Sequence, residues 1–152
     1  MKLDEIDVKL LGYLQEDSRA NINDLSKALN LTKTPIYERI KRYEKEGLIE
    51  KFVAVLNKDL IQGMVVFCSV SLDSQKLSLI DSFREDVREL EEVIECYLMG
   101  GANDFLLKVM VRDLNHYHEF SSGKLAAIPN VREIKSMFVL NTVKHTTKLP
   151  IY

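Results

Sequence analysis

Residues 29–57 read LNLTKTPIYERIKRYEKEGLIEKFVAVLN, and the fold turns on how this stretch divides. Asn30 and Leu31 make a turn, Thr32 stands where a helix N-cap belongs, and Pro35 falls in the first turn, where a missing N–H costs little. Ile36, Ile40 and Tyr43 recur at helical spacing as the buried stripe of a helix that Gly47 stops. The outer face carries Lys33, Thr34, Tyr37, Glu38, Lys41 and Arg42, a polar, basic and aromatic surface, while the neighbours of Arg39 face inward. From Leu48 to Leu56 apolar and polar residues alternate loosely, which suits a short strand or wing.

Working back towards the N-terminus, Ile6, Leu10, Leu11 and Leu14 mark one face of a first helix, with Asp4 and Glu5 in the turn where acids favour the helix dipole. Asn21, three positions before Asp24, starts a short second helix whose apolar stripe is Leu25, Ala28 and Leu29. The order is helix, short helix, tight turn, helix, wing: a winged helix-turn-helix over residues 1–60, including a linker strand. A helix presented in this way fits the major groove of double-stranded DNA. Lys33, Lys41 and Arg42 suit phosphates, and Thr34, Tyr37 and Glu38 could reach base edges. The same pattern is also compatible with a merely solvated helix face.

The net charge is −2, which counts against a grip on nucleic acid by bulk charge. Distribution matters more, because Lys33, Arg39, Lys41, Arg42, Lys45 and Lys51 cluster in one segment while the first helix carries the acids Asp4, Glu5, Asp7, Glu16 and Asp17. No stretch approaches a membrane span and the N-terminus is not signal-like, so the expectation is a cytoplasmic protein without a membrane partner. Cys68 and Cys96 lie far apart in apolar runs without a second ligand at metal spacing, and both read as buried free thiols. No phosphate loop, Cys-x-x-Cys pair or Ser/His/Asp arrangement appears, so no cofactor, metal or catalytic residue is expected.

The second half, residues 61–152, alternates differently. Strand-like runs at Val65–Leu72, Val93–Met99, Phe105–Val111 and Val131–Leu140 are interrupted by a helical pattern through Leu77, Ile80, Phe83 and Val87 and by another that Asp113 caps, through Tyr117, Phe120 and Leu125. The order βαββαβ predicts a ferredoxin-like antiparallel sheet with two helices on one face, an α+β class overall. The opposite face needs a cover, and a second copy of the chain is the simplest one.

The run from Asp7 to Leu14, then Asp17, Arg19, Asn21 and Leu25, then LTKTPIYERI and GLI, resembles the Lrp/AsnC family of bacterial and archaeal regulators. ECYLMGGANDFLLKV at 95–109 and VLNTVKHTTKLPI at 139–151 are similar to that family's later segments, so the resemblance covers almost the whole chain. It implies a sequence-specific transcriptional regulator that binds a pseudo-palindromic DNA site, a small effector that is an amino acid, and homodimers that assemble further, up to octamers. The effector loop would map to Gly100, Gly101, Ala102, Asn103 and Asp104, with Ser136 as a further candidate. Glycines expose N–H groups that can hold a carboxylate, and Asp104 offers a partner for an ammonium group. The loop also reads as a plain hairpin turn. Gly100 and Ile134 stand where the family often has hydroxyl residues, which leaves the effector's identity open. Two alternatives remain: a sensor with an inert head, and a sirohaem decarboxylase on the same fold, which would need haem-contacting and catalytic histidines. His116 and His118, two apart on a helix, point to different faces and do not make a shared site.

Overall fold

Three helices, α1 (Glu5–Glu16), α2 (Ile22–Leu29) and α3 (Lys33–Lys45), precede a βαββαβ sequence in this computed structural model, which describes residues 2–57 and 60–152. Asp4 opens α1 with a full capping box, its carboxylate accepting from the Asp7 N–H at 2.7 Å while Asp7 accepts from the Asp4 N–H at 3.0 Å. Asn21 caps α2 through the Asn23 N–H. Asn30, left-handed at φ 52, ends α2, and Ser26 ties down the turn by donating to the Leu31 carbonyl. Thr32 occupies the N-cap of α3 but makes no side-chain capping hydrogen bond, so the cap read from sequence is one of position only. Gly47, at φ 74, closes α3: its N–H donates to the Glu44 carbonyl and that of Leu48 to Tyr43, a Schellman ending.

Leu10, Leu11, Leu14, Leu25, Leu29, Ile36 and Tyr43 meet in the core of the helices, as the stripes require. Residues 48–56 form no ladder, although their alternation predicts a strand. A strand needs a second strand for its N–H and C=O groups, and among the described residues none pairs with this segment, leaving Phe52, Val53, Val55 and Leu56 exposed.

The remaining elements are β1 (Met64–Leu72), α4 (Leu77–Arg88), β2 (Val93–Leu98), β3 (Phe105–Val111), α5 (Leu114–His118) and β4 (Val131–Phe138). The helix capped by Asp113 continues beyond α5 in wider π-type turns over Glu119–Leu125. The strands lie in the order β2-β3-β1-β4, all pairs antiparallel. Val66, Cys68 and Val70 oppose Val109, Leu107 and Phe105 in register. Directly opposed residues share a face, and this one buries against Phe83, Val87, Tyr117, Phe120 and Leu125. The alternate residues, Phe67, Ser69, Leu106, Lys108 and Met137, point to the other face. Cys68 is buried, as expected, but Cys96 on the edge strand β2 is exposed, because among the described residues no further strand covers that edge.

Two compact units result, one of Met1–Leu56 with Val143–Tyr152 and one of Asn57–Thr142. The C-terminal segment Val143–Tyr152 thus packs with the helices.

Candidate nucleic-acid interface and effector loop

Asp7 lies on the apolar stripe of α1, three residues before Leu10 and four before Leu11, and is 1% exposed. A buried carboxylate must be paired. Its Oδ1 accepts from Tyr43 Oη at 2.5 Å, from Arg42 Nη2 at 2.7 Å and from Arg39 Nη1, while Arg39 also reaches Asp4 at 2.9 Å. Burial alone would raise this carboxyl, but hydrogen bonds from the Asp4 backbone, Tyr43 and Arg39 outweigh it and hold the pKa at about 2. Burial and the bond to Asp7 push the Tyr43 hydroxyl well up, so it stays a donor.

That network sorts the cations of α3. Arg39 turns inward, consistent with its inward-facing neighbours in sequence. Arg42, grouped by sequence with the outer face, is only partly there: Nη2 is committed to Asp7 and Nε is buried without a partner, leaving the guanidinium half-exposed at the rim. Lys33, Thr34, Tyr37, Glu38 and Lys41 are all exposed along one side of the helix. The sequence signal for the network was an acid at the spacing of an apolar stripe, which is rarely left unpaired.

At the other candidate site, Gly100–Asp104 joins β2 to β3, and the Met99 N–H closes the hairpin onto the Asp104 carbonyl at 2.8 Å. Gly101 has φ 153, a backbone that side-chain-bearing residues rarely adopt, and Gly100, Gly101 and Ala102 are exposed. Asp104 is anchored, accepting at Oδ2 from the Leu72 N–H (2.7 Å) and at Oδ1 from Gln75 Nε2 (2.8 Å), while Asn103 accepts from Ser71 Oγ at 3.2 Å. Each Asp104 oxygen retains a second lone pair. Ser136 is not brought to this loop. It opposes Cys68 on β4, two strand spacings or roughly 10 Å from β3, and its Oγ bonds Tyr117 Oη on the helix side. Burial, with the Cys68 contact, raises the Tyr117 hydroxyl to about 12.

The histidines have separate surroundings, as their spacing predicts. His116 Nε2 lies 3.3 Å from the buried Glu92, and its Nδ1 accepts from the Arg112 N–H at 3.2 Å. His118 contacts Ser122 at 3.4 Å. Among the described residues no group of acids, histidines and cysteines could hold a metal ion, and no helix is long and apolar enough to cross a membrane.

Comparison with known proteins divides the chain between the helices and the sheet, with residues 143–149 falling in the second match although they pack with the helical unit. Residues 3–50 match the winged helix-turn-helix DNA-binding model, and residues 65–149 match the Lrp/AsnC ligand binding domain. The leucine-responsive regulatory protein of Haemophilus influenzae is 36% identical over 97% of this chain and 89% of its own. The bkd operon transcriptional regulator of Pseudomonas aeruginosa is 36% identical over 99% of both. Among solved structures, a transcriptional regulator of Neisseria meningitidis in complex with L-Met superposes with a TM-score of 0.91 at 32% identity, covering 98% of this chain and 97% of that one.

Proposed function

Because this chain belongs to the Lrp/AsnC family of transcriptional regulators, we propose that it reads double-stranded DNA through the outer face of α3 and adjusts that reading to an amino acid held at Gly100–Asp104. One observation carries the first part: α3 commits Arg39 and part of Arg42 to Asp7 while Lys33, Thr34, Tyr37, Glu38 and Lys41 stay exposed on one side. Lys33 and Lys41 neutralise phosphates, Arg42 adds a contact from the rim, and Thr34, Tyr37 and Glu38 face base edges. The modest charge of one head makes several heads on one assembly necessary for useful affinity. Phe67, Leu106, Tyr97 and Met137 on the uncovered sheet face supply an apolar surface for a homodimer, which presents two α3 helices to a pseudo-palindromic site. Further association, to an octamer, is part of the same reading, as is action in the cytoplasm without catalysis.

For the effector, backbone N–H groups of Gly100 and Gly101 suit a carboxylate, and the remaining lone pairs of Asp104 suit an ammonium group. The L-Met complex of the Neisseria meningitidis relative supports this ligand class. Ser136 contributes through Tyr117 and the sheet, from a distance.

The test is selection of bound genomic fragments with and without a panel of amino acids, followed by titration of the selected site against salt. Lys33→Ala and Lys41→Ala should each weaken binding to every sequence and reduce the salt slope by about one unit. An unchanged slope in both would remove α3 from the interface.

A further inference from the structure

β4 ends at Phe138, residues 139–142 follow, and Val143–Tyr152 then packs with the helical unit. Gln15, in the last turn of α1, brackets one residue of this segment: its Nε2 donates to the Leu149 carbonyl at 3.1 Å and its Oε1 accepts from the Leu149 N–H at 2.6 Å. Next to it, Glu16 pairs with Lys148. Ile151 packs, partly buried, against the apolar cluster of the three helices. Pro150, between the bracketed backbone and the apolar anchor, has a fixed φ and no N–H to satisfy. A side-chain amide that meets both groups of one backbone residue, flanked by a charge pair and an apolar contact, has the elements of peptide recognition: main-chain bonds for affinity and side chains for choice.

The contact is weak by construction. The Glu16–Lys148 pair and the Gln15 bonds are open to water, and Leu149 and Tyr152 are exposed. Elements with few buried contacts open at low cost and are the ones recruited as switches. We propose that the end of α1 is a peptide seat read by Gln15 and Glu16, and that Lys148–Ile151 of the same chain is its detachable latch, by which the state of β4 is passed to the reading head. The seat stands independently of DNA binding; only the last step rests on the function proposed above.

Hydrogen exchange tests the seat without DNA. In a chain ended at Thr142, the amides of α1 should exchange roughly tenfold faster while those of β1 and β3 keep their protection. An excess of a synthetic peptide of residues 143–152 should restore α1 in that chain but not when it also carries Gln15→Ala. Unchanged α1 exchange on truncation overturns the seat, and equal rescue in Gln15→Ala overturns the role given to that residue. If the shortened chain does not fold, full-length Gln15→Ala and Ile151→Ser should show the same selective loss in α1, and normal protection in both overturns the proposal. Mixing isotope-labelled truncated chain with unlabelled full-length chain tests the origin of the latch: protection of labelled α1 means a tail from a second copy and overturns docking within one chain. Finally, truncation should leave DNA binding measurable but abolish its response to amino acids, and a full response overturns the transmitting role. Absence of DNA binding by the intact chain would instead count against the proposed function and leave the exchange result standing.

Discussion

The two units differ in how much apolar packing surrounds their buried charge. Among the described residues, fourteen buried side chains between Val66 and Ile128 pack together in the sheet unit, which also buries Glu92 against Lys124 and His116, whereas the helical unit gathers only seven beside its buried carboxylate, Asp7, with Arg39, Arg42 and Tyr43 around it. A small core buries too little apolar surface to specify its packing alone, and the directional bonds of Asp7 fix α1 against α3. The same bonds decide which cations of α3 remain at its surface. In the head, therefore, the network that holds the fold also selects the cations left for the DNA contact proposed above, while in the sheet unit the Gly100–Asp104 loop meets the core through the bonds of Asp104 to the backbone of Val70 and Leu72.

The largest test of this contrast is Asp7→Ala. It leaves Tyr43 and Arg42 without the Asp7 acceptor and Arg39 with Asp4 alone, and should cost the helical unit about 4 kcal/mol, read as lost amide protection in α1 to α3 while β1 and β3 are unchanged. Equal loss in both units would erase the distinction.

Acid should act next most strongly. The Asp7 carboxyl is held at about 2, below its ordinary 3.8, because the bonds it accepts override burial. A depressed carboxylate stabilises the fold above its unfolded pKa and ceases to do so as pH falls through the folded one, so about 2 kcal/mol should be lost from the helical unit between pH 4 and pH 2. In the sheet unit Glu92, where Lys124 and His116 outweigh burial, is shifted in the same direction. Following α1 and β3 amides separately keeps the two contributions apart. A helical unit indifferent to this interval would refute the ionic account of its core.

Much of this architecture is legible in local pattern, and the exceptions share a cause. The stripe Leu10, Leu11 and Leu14, the stripe Ile36, Ile40 and Tyr43 and the alternation of Phe105–Val111 each report one element's own periodicity, and the order βαββαβ leaves few ways to pair strands. The pairing of Asp7 with Arg42 spans 35 residues, and the docking of Leu149 on Gln15 spans 134. Neither contact has a local period, so only the charged residue inside the stripe hints at the first and nothing marks the second. The segment after Gly47 fails for a related reason, since its alternation describes a strand's side chains but cannot supply a partner strand. Ser136 is similar: its position on β4 is readable, while its bond to Tyr117 depends on register across the sheet.

The smallest expected effect separates a cap by position from a cap by bonding. Asn21 and Thr32 both precede helices in the head, and residue type alone makes both good caps. The Asn21 carboxamide accepts from the Asn23 N–H at 2.8 Å, whereas the Thr32 hydroxyl accepts nothing from the first turn of α3. Asn21→Ala should therefore cost about 1 kcal/mol, and Thr32→Ala should stay within about 0.5 kcal/mol of the parent, both measured by denaturant melts of the full chain. The consequence bears on the proposed function, because a first turn whose N–H groups are not taken up by Thr32 would keep them for a phosphate oxygen if α3 enters the groove as proposed. Thr32→Ala should then leave both stability and DNA affinity nearly intact. A loss of stability as large as that of Asn21→Ala would mean that the hydroxyl caps the helix in solution, and the N–H groups of that turn would no longer be open to DNA.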